Sequence, residues 1–475
     1  MFIHSKHSFL RRFGCRGKSL LLFALTLIFL TALPVAAQNV YTVTNTNATG
    51  AGSLFAAISS ANSHVAATPD TIKFNIPGVG PHTISLSFSL NITDPIVIDG
   101  LSQPGASNTS WPPTLQIVMD GASAPGSCLT LNSSNSTVRG LVIKNYGGAV
   151  GISLSSSDCI IECNFIGTDV TGTFSQPNGR GISAGGSRNL IGGAAVAARN
   201  LISGNRLDGI FIGGSDHLVQ SNFIGTDVTG TAALGNGDHG IFISGGANNT
   251  IGGTSAAARN LISGNGNEGI LIPGAGSNNF VQGNYIGTDV SGIAAISNAN
   301  RGVIIQSNAS QNTIGGIEAG AGNLIAYNSI GGVHVSNNGV GNAILGNSIF
   351  SNQGGSFGLG IDLIGNSGIT ANDPGDGDTG PNNLQNFPVL SAAVSYPTST
   401  VINGSLNSTA NTSFTIEFFS NLDCDPLGNG EGEELIGRAT VTTDGSGDVS
   451  FSQNRHQFPI RPRRRSYLVA QRRER

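Results

Sequence analysis

Residues 240–265 read GIFISGGANNTIGGTSAAARNLISGN and contain three short apolar segments bounded by glycine, asparagine or serine. The segments are Gly240–Ile243, Asn249–Gly253 and Asn260–Asn265. Short aliphatic runs between turn-forming residues are typical of β-strands. One such unit cannot bury its own apolar side chains, so it must stack on similar units before and after it.

The same unit recurs along the chain, and a glycine followed by isoleucine or valine marks each copy. These pairs begin at Gly151, Gly181, Gly209, Gly240, Gly269, Gly302, Gly332 and Gly360. The intervals between them are 30, 28, 31, 29, 33, 30 and 28 residues. Three strands in about 30 residues predict an all-β solenoid of parallel strands, whose turns stack at the ~4.8 Å spacing of neighbouring strands.

The third strand of each unit supplies a column of isoleucines, and each isoleucine follows an asparagine by two positions. The isoleucines are Ile166, Ile202, Ile224, Ile262, Ile286, Ile325 and Ile349. The asparagines are Asn164, Asn200, Asn222, Asn260, Asn284, Asn323 and Asn347. If the turns stack in register, the isoleucines fill the interior. The asparagines then line one corner, where their amides bond to each other and to turn backbone.

Two kinds of insertion alternate along the repeat and predict two families of protruding loops. One kind follows the third strand and has the sequence Ile-Gly-Thr-Asp, with its aspartates at Asp169, Asp227 and Asp289. The other follows the second strand at residues 194–199 and 254–259. Loops on a rigid scaffold commonly carry binding function. We expect the three aspartates to cap their own turns through their carboxylates.

Composition and charge restrict the location and the partners. Charged residues make up only 11% of the chain, and the many glycines favour strands and turns over helices. Residues 1–37 place basic residues before an apolar run and small residues, which predicts a signal peptide and a secreted or cell-surface protein. An uncleaved anchor is the alternative, and no transmembrane span is expected after signal removal. Residues 38–454 carry a net charge of −16, which repels nucleic acid and anionic polysaccharide.

The domain organisation follows from where the repeat begins and ends. We predict an N-terminal cap with the first irregular turns over 38–95, a parallel β-helix over 96–387, and a small β-sandwich-like domain over 388–454. Residues 455–475 form an atypical tail with eight arginines. The tail is either an anion-binding arm or an ending without a selected role, as a shifted reading frame would produce.

Several segments resemble secreted bacterial right-handed parallel β-helix repeat proteins. They are Thr42–Asn45, Gly50–Leu54, Asp70–Phe74, the repeated Ile-Gly-Thr-Asp and Ile-Gly-Gly elements, and Asn382–Pro388. The resemblance covers residues 40–453 and implies a right-handed β-helix of the pectin-lyase-like kind, at an extracellular or surface location. It implies little about mechanism. Phe55 stands where these proteins usually have arginine, and the tail lacks their closing strands, which leaves open whether the last domain is complete.

An ionisable residue precedes five of the eight glycine pairs and defines one column. The members are Arg180, Asp208, His239, Glu268 and Arg301. One hypothesis is a catalytic row, in which His239 acts with Asp208 and Glu268, paired carboxylates two turns apart and near the ~9.5 Å limit for an inverting glycosidase. The alternative is a row of surface salt bridges, each contributing ~0–1 kcal/mol.

A glycine-rich segment offers a candidate cation site. Asp373, Asp376 and Asp378 lie within six residues, and three carboxylates on one turn can direct hard oxygen ligands at Ca²⁺. The alternative is a solvated acidic linker. No other cofactor is expected, and we interpret Cys159 and Cys163 as buried small apolar residues rather than metal ligands.

The function predicted from these features is a structural, adhesive or glycan-contacting module, with a polysaccharide or cell-surface glycan as partner and no nucleic acid. The alternative is a polysaccharide lyase, glycoside hydrolase or epimerase that acts along one flank of the solenoid. Phe165, Phe223 and Tyr285 recur on every second turn and are either members of the packed core or a sugar platform. The sequence does not determine the oligomeric state.

Overall fold

Short apolar segments from successive units stack into three long parallel sheets, so the predicted parallel β-helix solenoid is confirmed. The structure is a computed structural model that describes residues 38–64, 68–121, 124–353, 359–364, 369–422, 431–456 and 467–473. Each turn of the coil, which we call a rung, contributes one strand to each sheet. The predicted signal peptide, residues 1–37, lies outside the described residues.

The N-terminal part contains the helix α1 and five strands. They are β1 (Val40–Val43), α1 (Leu54–Asn62), β2 (Asp70–Phe74), β3 (His82–Ser85), β4 (Leu90–Ile92) and β5 (Ile96–Asp99). The middle rungs contain β6 (Ile117–Asp120), β7 (Leu129–Leu131), β8 (Thr137–Arg139), β9 (Leu141–Lys144), β10 (Val150–Leu154), β11 (Ile160–Glu162), β12 (Phe165–Ile166), β13 (Arg180–Ala184), β14 (Leu190–Gly192), β15 (Leu201–Ile202), β16 (Ile210–Ile212), β17 (Leu218–Gln220) and β18 (Phe223–Ile224).

The later rungs and the C-terminal part add nineteen strands. The coil continues through β19 (Ile241–Ile243), β20 (Thr250–Gly252), β21 (Leu261–Ile262), β22 (Ile270–Pro273), β23 (Phe280–Gln282), β24 (Tyr285–Ile286), β25 (Arg301–Gln306), β26 (Thr313–Gly315), β27 (Leu324–Ala326), β28 (Gly331–Val335), β29 (Ala343–Leu345), β30 (Ser348–Phe350) and β31 (Ile361–Asp362). The last strands are β32 (Val389–Tyr396), β33 (Ser399–Asn407), β34 (Ser413–Asn421), β35 (Glu434–Thr442), β36 (Asp448–His456) and β37 (Tyr467–Arg473).

The three sheets of the coil are formed by different strands of each rung. Sheet A has eleven strands in the order β1-β2-β5-β8-β11-β14-β17-β20-β23-β26-β29. Sheet B has ten, in the order β3-β6-β9-β12-β15-β18-β21-β24-β27-β30, and sheet C has ten, in the order β4-β7-β10-β13-β16-β19-β22-β25-β28-β31. All seven isoleucines of the predicted column lie in sheet B, in register and fully or almost fully buried. This confirms the predicted interior column.

The corners of the coil are held by three hydrogen-bonded columns of asparagine side chains, which we call asparagine ladders. At most steps an amide oxygen accepts from the side-chain N–H, the backbone N–H or both of the preceding member, and in the third ladder the His217 Nδ1 accepts from the Asn189 backbone N–H instead. The first ladder is the predicted one, Asn164, Asn200, Asn222, Asn260, Asn284, Asn323 and Asn347, with N···O distances of 2.9–3.3 Å. The second is Asn178, Asn205, Asn236, Asn265, Asn298, Asn328 and Asn352. The third is Asn189, His217, Asn249, Asn279, Asn312, Asn342 and Asn382.

The N-terminal end of the coil is covered by α1, as predicted. Ser53 is its N-cap, and the Ser53 Oγ accepts a hydrogen bond of 3.2 Å from the Ala56 N–H. Leu54, Ala57, Ile58 and Ala61 form its buried face and join the interior cluster of the coil. An apolar helix face thus replaces the missing preceding rung.

The loops that follow the third strand lie partly against the outer face of sheet B, and they also carry strongly exposed side chains such as Phe174 and Ile293. Val228 is buried in a second apolar cluster on the outer face of sheet B, together with Phe165 and Phe223. The loops also bond to one another, because the Val228 N–H donates to the Gly172 carbonyl and the next loop repeats this bond. Val228 therefore packs its loop onto the sheet, whereas Val290 of the next loop is 43% exposed. The loops at 194–199 and 254–259 are largely exposed.

The C-terminal part forms two small antiparallel sheets, sheet D (β32-β33-β36) and sheet E (β35-β34-β37). Strand β37 comes from the arginine-rich tail and pairs with β34, so the expectation that the tail lacks a closing strand is wrong. Sheet E also covers the end of the coil. The buried carboxylate of Glu417 accepts a 2.9 Å bond from the Gly346 N–H and a 2.6 Å bond from Arg438.

Candidate functional site

The five ionisable residues of the predicted column lie on consecutive rungs at the start of the sheet C strands. Arg180 and Arg301 begin β13 and β25, and the other three directly precede the glycines before β16, β19 and β22. The glycine that follows each of the first four ionisable residues donates its backbone N–H to the carbonyl of the ionisable residue on the next rung. Gly209, for example, donates to the His239 carbonyl at 2.9 Å. The column is therefore in register over four rung-to-rung steps.

Four of the five side chains form a continuous series of ion pairs, which we call the ion-pair row. Arg180 Nε lies 2.8 Å from Asp208 Oδ2, and His239 Nδ1 lies 2.8 Å from Asp208 Oδ1. His239 Nε2 lies 3.1 Å from Glu268 Oε2. Arg301 does not continue the row, because its Nη1 contacts the Asn300 Oδ1 at 3.5 Å.

Burial and pairing together set the protonation states in the row. Burial disfavours the charged imidazole of His239, but its hydrogen bonds with Asp208 and Glu268 and the nearby negative charges raise its pKa to about 9. Burial also opposes the charge of Asp208, yet hydrogen bonds from His239 and Arg180 lower the pKa of its carboxyl. The row therefore holds a protonated imidazole beside the ionised carboxylate of Asp208 at neutral pH.

Each carboxylate oxygen of the row contacts a protein group. Asp208 uses one oxygen for Arg180 and the other for His239, and Glu268 uses its second oxygen to accept a 2.6 Å bond from Asn300. Asp208, His239 and Glu268 are 2%, 9% and 5% exposed. This arrangement resembles the salt-bridge alternative, but it is enclosed rather than on the surface. A catalytic role for Asp208, His239 and Glu268 stays a prediction.

Beside the row, the outer face of sheet C carries two partly exposed phenylalanines. Phe211 and Phe242 are paired in register on β16 and β19, with ring centroids 5.3 Å apart. The Arg180 guanidinium lies 4.6 Å from the Phe211 ring, and the His239 ring stacks on Phe242 at 5.4 Å. We call Arg180, Phe211 and Phe242 the aromatic flank. Two members of the ion-pair row, Arg180 and His239, thus contact the Phe211 and Phe242 rings and form one border of this aromatic surface.

Sequence reasoning missed the aromatic flank, although a signal was present. Both rings occupy the third position of an identical Gly-Ile-Phe-Ile tetrapeptide, at Gly209–Ile212 and Gly240–Ile243. Because strand residues alternate between faces, buried isoleucines at the second and fourth positions direct the phenylalanine outward. Asn300 was also missed, since it lies outside the column of residues that precede the glycines.

The aromatic residues that were weighed as a sugar platform are covered. Phe165 and Phe223 are 1% and 2% exposed, and Trp111 packs against both rings at 5.9 and 5.5 Å. Tyr285 is half-buried, and the Arg259 guanidinium lies 4.0 Å from its ring. These residues are therefore members of a packed cluster on the outside of sheet B.

The loop aspartates cap their own turns, as expected. Asp169 Oδ1 accepts from the Thr173 and Phe174 N–H groups, both at 3.1 Å, and Asp227 and Asp289 repeat this pattern. Burial opposes the charge of Asp169, but these bonds and the Thr171 hydroxyl lower the pKa of its carboxyl. Their oxygens are used within the loops and are poorly placed to bind a ligand.

The three aspartates of the candidate cation site converge in the folded loop. One carboxylate oxygen from each of Asp373, Asp376 and Asp378 lies within 4.8 Å of the others. Asp373 Oδ1 and Asp378 Oδ1 are buried, and neither atom accepts a hydrogen bond from the described residues. Burial and the charges of Asp373 and Asp376 raise the pKa of Asp378. The loop therefore concentrates negative charge and unpaired oxygen atoms in one place.

The cysteines have no role in a site. Cys128, Cys159 and Cys163 are free and buried, and burial raises the pKa of Cys128 to about 12. The burial of Cys159 and Cys163 fits their interpretation as small apolar residues.

Within the part of the chain that the structure describes, no helix has the length and apolar character needed to cross a bilayer. No protein-family model matches this sequence, and no curated protein matches it either.

Proposed function

We propose that this chain is a secreted or cell-surface β-helix protein that binds a glycan on the aromatic flank without altering it. The observation that carries the proposal is the in-register pair Phe211 and Phe242, partly exposed beside Arg180. Aromatic rings bind the apolar C–H face of a sugar ring, and neighbouring polar groups orient its hydroxyls. The predicted signal peptide and the resemblance to secreted β-helix repeat proteins support the location.

The charges around the flank favour a neutral glycan over an acidic one. The positive charge of Arg180 is balanced by Asp208, and that of His239 by Asp208 and Glu268. The body over residues 38–454 carries a net charge of −16, which repels polyanions at long range. Ser183 lies on the neighbouring strand in register with Phe211 and offers a hydroxyl at the same surface.

A binding assay with matched variants tests this proposal. The protein is titrated against immobilised neutral and acidic polysaccharides, and we expect affinity for at least one neutral polysaccharide. The double variant Phe211→Ala with Phe242→Ala is expected to weaken that affinity at least ~10-fold, because each ring contact contributes about 1 kcal/mol. The control is Phe280→Ala, since the Phe280 ring is 40% exposed on sheet A, away from the flank. Equal affinity of the double variant and the wild type would contradict the proposal.

The alternative function is a polysaccharide lyase, glycoside hydrolase or epimerase acting along the same flank. The structure favours it less, because Asp208 and Glu268 are only 2% and 5% exposed and His239 is protonated at neutral pH. A general base must come within hydrogen-bond reach of the substrate proton, and burial of both carboxylates hinders this. New reducing ends or unsaturated products in the same incubations, lost in His239→Gln, would favour the enzyme over the binding module.

We also propose that the acidic loop binds Ca²⁺ through Asp373, Asp376 and Asp378. Two buried carboxylate oxygens without a hydrogen-bond partner among the described residues support this, because an unpaired buried anion is costly and a hard cation would satisfy it. The loop is anchored from outside, since the Ser408 hydroxyl donates to Asp376 Oδ2 and the Asn386 N–H to Oδ1. These bonds hold the Asp376 side chain in place beside Asp373 and Asp378.

Calorimetric titration of the whole protein with CaCl₂ tests the cation site. We expect a dissociation constant of about 10⁻⁴–10⁻³ M, as in extracellular Ca²⁺ modules with few ligands. Asp378→Asn removes one ligand charge without breaking a bond that anchors the loop, and it should weaken binding at least ~10-fold. Glu434→Gln removes one exposed charge elsewhere in the C-terminal part and should leave the affinity unchanged. Absence of heat and of any melting shift at ~5 mM CaCl₂ would refute the site.

A further inference from the structure

The strand β32 is an open edge of sheet D. It pairs with β33 along one side, and no described strand pairs with its other side. Seven of its eight residues are exposed, and the large side chains of Val394 and Tyr396 are 44% and 51% exposed. An open edge presents unpaired backbone N–H and C=O groups, which can extend the sheet with a strand from another chain.

The C-terminal half of β32 lacks the features that usually prevent such pairing. The strand contains no lysine and no proline, and its only register shift lies between Leu390 and Ala392. Bulges, prolines and charged side chains are the common means of protecting an edge. From Ala392 to Tyr396 the strand is therefore regular, uncharged and open.

Charge favours a second copy of this chain as the occupant of the edge. The body over residues 38–454 has a net charge of −16, so two copies repel each other at most orientations. The stretch from Thr379 to Ile416 contains no charged residue, and it includes both β32 and β33. Two copies can approach along this hairpin without placing like charges together.

We infer that β32 pairs antiparallel with β32 of a second copy about a two-fold axis. Each copy then both donates and accepts backbone hydrogen bonds, as a self-complementary interface requires. The two three-stranded D sheets become one continuous six-stranded sheet. The pairing also brings the exposed Val394 and Tyr396 side chains of the two copies together and shields them from water.

Sedimentation and light scattering on the whole protein, from about 5 to 500 µM, test the pairing. We expect a reversible dimer with a dissociation constant on the order of 10⁻⁵ M, typical of a small interface. Ser395→Lys places like charges across the two-fold axis and should raise that constant at least ~10-fold. Thr400→Lys is the matched control, because Thr400 is the cross-strand neighbour of Ser395 on β33 and loses the same 3.3 Å hydroxyl contact.

The outcomes separate edge pairing from other kinds of association. A dimer that is weakened by Ser395→Lys and changed less than ~3-fold by Thr400→Lys supports the inference. A monomer throughout the concentration range overturns it, and so does a dimer that both variants weaken equally or neither weakens. Circular dichroism of both variants should match the wild type, because the changes add no buried group. The glycan and Ca²⁺ proposals do not depend on this result.

Discussion

Replacement of Asn260 by alanine is expected to lower the free energy of unfolding by about 3–5 kcal/mol. The Asn260 side chain is fully buried in the first asparagine ladder, and its Oδ1 accepts from the backbone and side-chain N–H groups of Asn222. Its Nδ2 donates to Asn284 Oδ1 and to the Val219 carbonyl. Alanine leaves several buried polar groups unpaired, each at a cost of about 1–3 kcal/mol, and it leaves a small cavity in the corner.

Denaturant unfolding followed by far-UV circular dichroism measures this loss. Asn132→Ala is the control, because the Asn132 side chain is exposed, and we expect a change within ~0.5 kcal/mol. Hydrogen exchange of the backbone amides at positions 222 and 260 should be faster in Asn260→Ala than in the wild type, since the corner opens locally. A loss below 1 kcal/mol would mean that the asparagine ladders do not stabilise the coil.

The sequence was sufficient to predict the coil, because one unit cannot bury its own apolar side chains. Units with the same residues at equivalent positions bury them by stacking in register. The isoleucine column and the first asparagine ladder follow from spacing and local chemistry, and the structure contains both. The second and third ladders were not found. Most asparagines of the second ladder lack the isoleucine two positions later that marks the first, and in the third His217 interrupts the asparagine pattern. An asparagine column without a companion aliphatic column is hard to recognise from sequence.

Contacts on the outside of the coil were harder to predict than those inside. The repeated Ile-Gly-Thr-Asp loops are alike in sequence and gave no indication that Val228 would be buried beside Phe165 and Phe223 while Val290 stays exposed. The ionisable column was visible in the sequence, but its enclosure depends on Asn300 and on the ring of Phe242, which lie outside the column. Burial decides the chemistry of such a row, and burial is a property of neighbouring rungs rather than of spacing.

Raising the pH from 7 to 10 is expected to remove about 2 kcal/mol of stability through His239. The pKa of this imidazole is about 9 in the folded protein, above its ordinary value of about 6.5, so the folded state binds the proton more tightly. Its contribution is complete below about pH 6.5 and is lost as the pH rises through 9. For a fully enclosed group, a pKa shift of this size contributes ~3 kcal/mol to the free energy of unfolding. Solvent screening of the partly exposed row reduces this contribution to the expected value.

The second buried histidine, His217, provides the matched control, because its pKa moves in the opposite direction. Burial lowers the pKa of His217 to about 4, and its Nε2 has no hydrogen-bond partner among the described residues. Its contribution is present above about pH 6.5 and is lost as the pH falls towards 4. Denaturant midpoints are measured from pH 4 to 10 in the wild type and both variants. The loss of stability above pH 7 should be smaller only in His239→Gln, and the loss of stability below pH 6.5 should be smaller only in His217→Asn. An alkaline loss of equal size in His239→Gln and the wild type would show that the ion-pair row does not hold the proton.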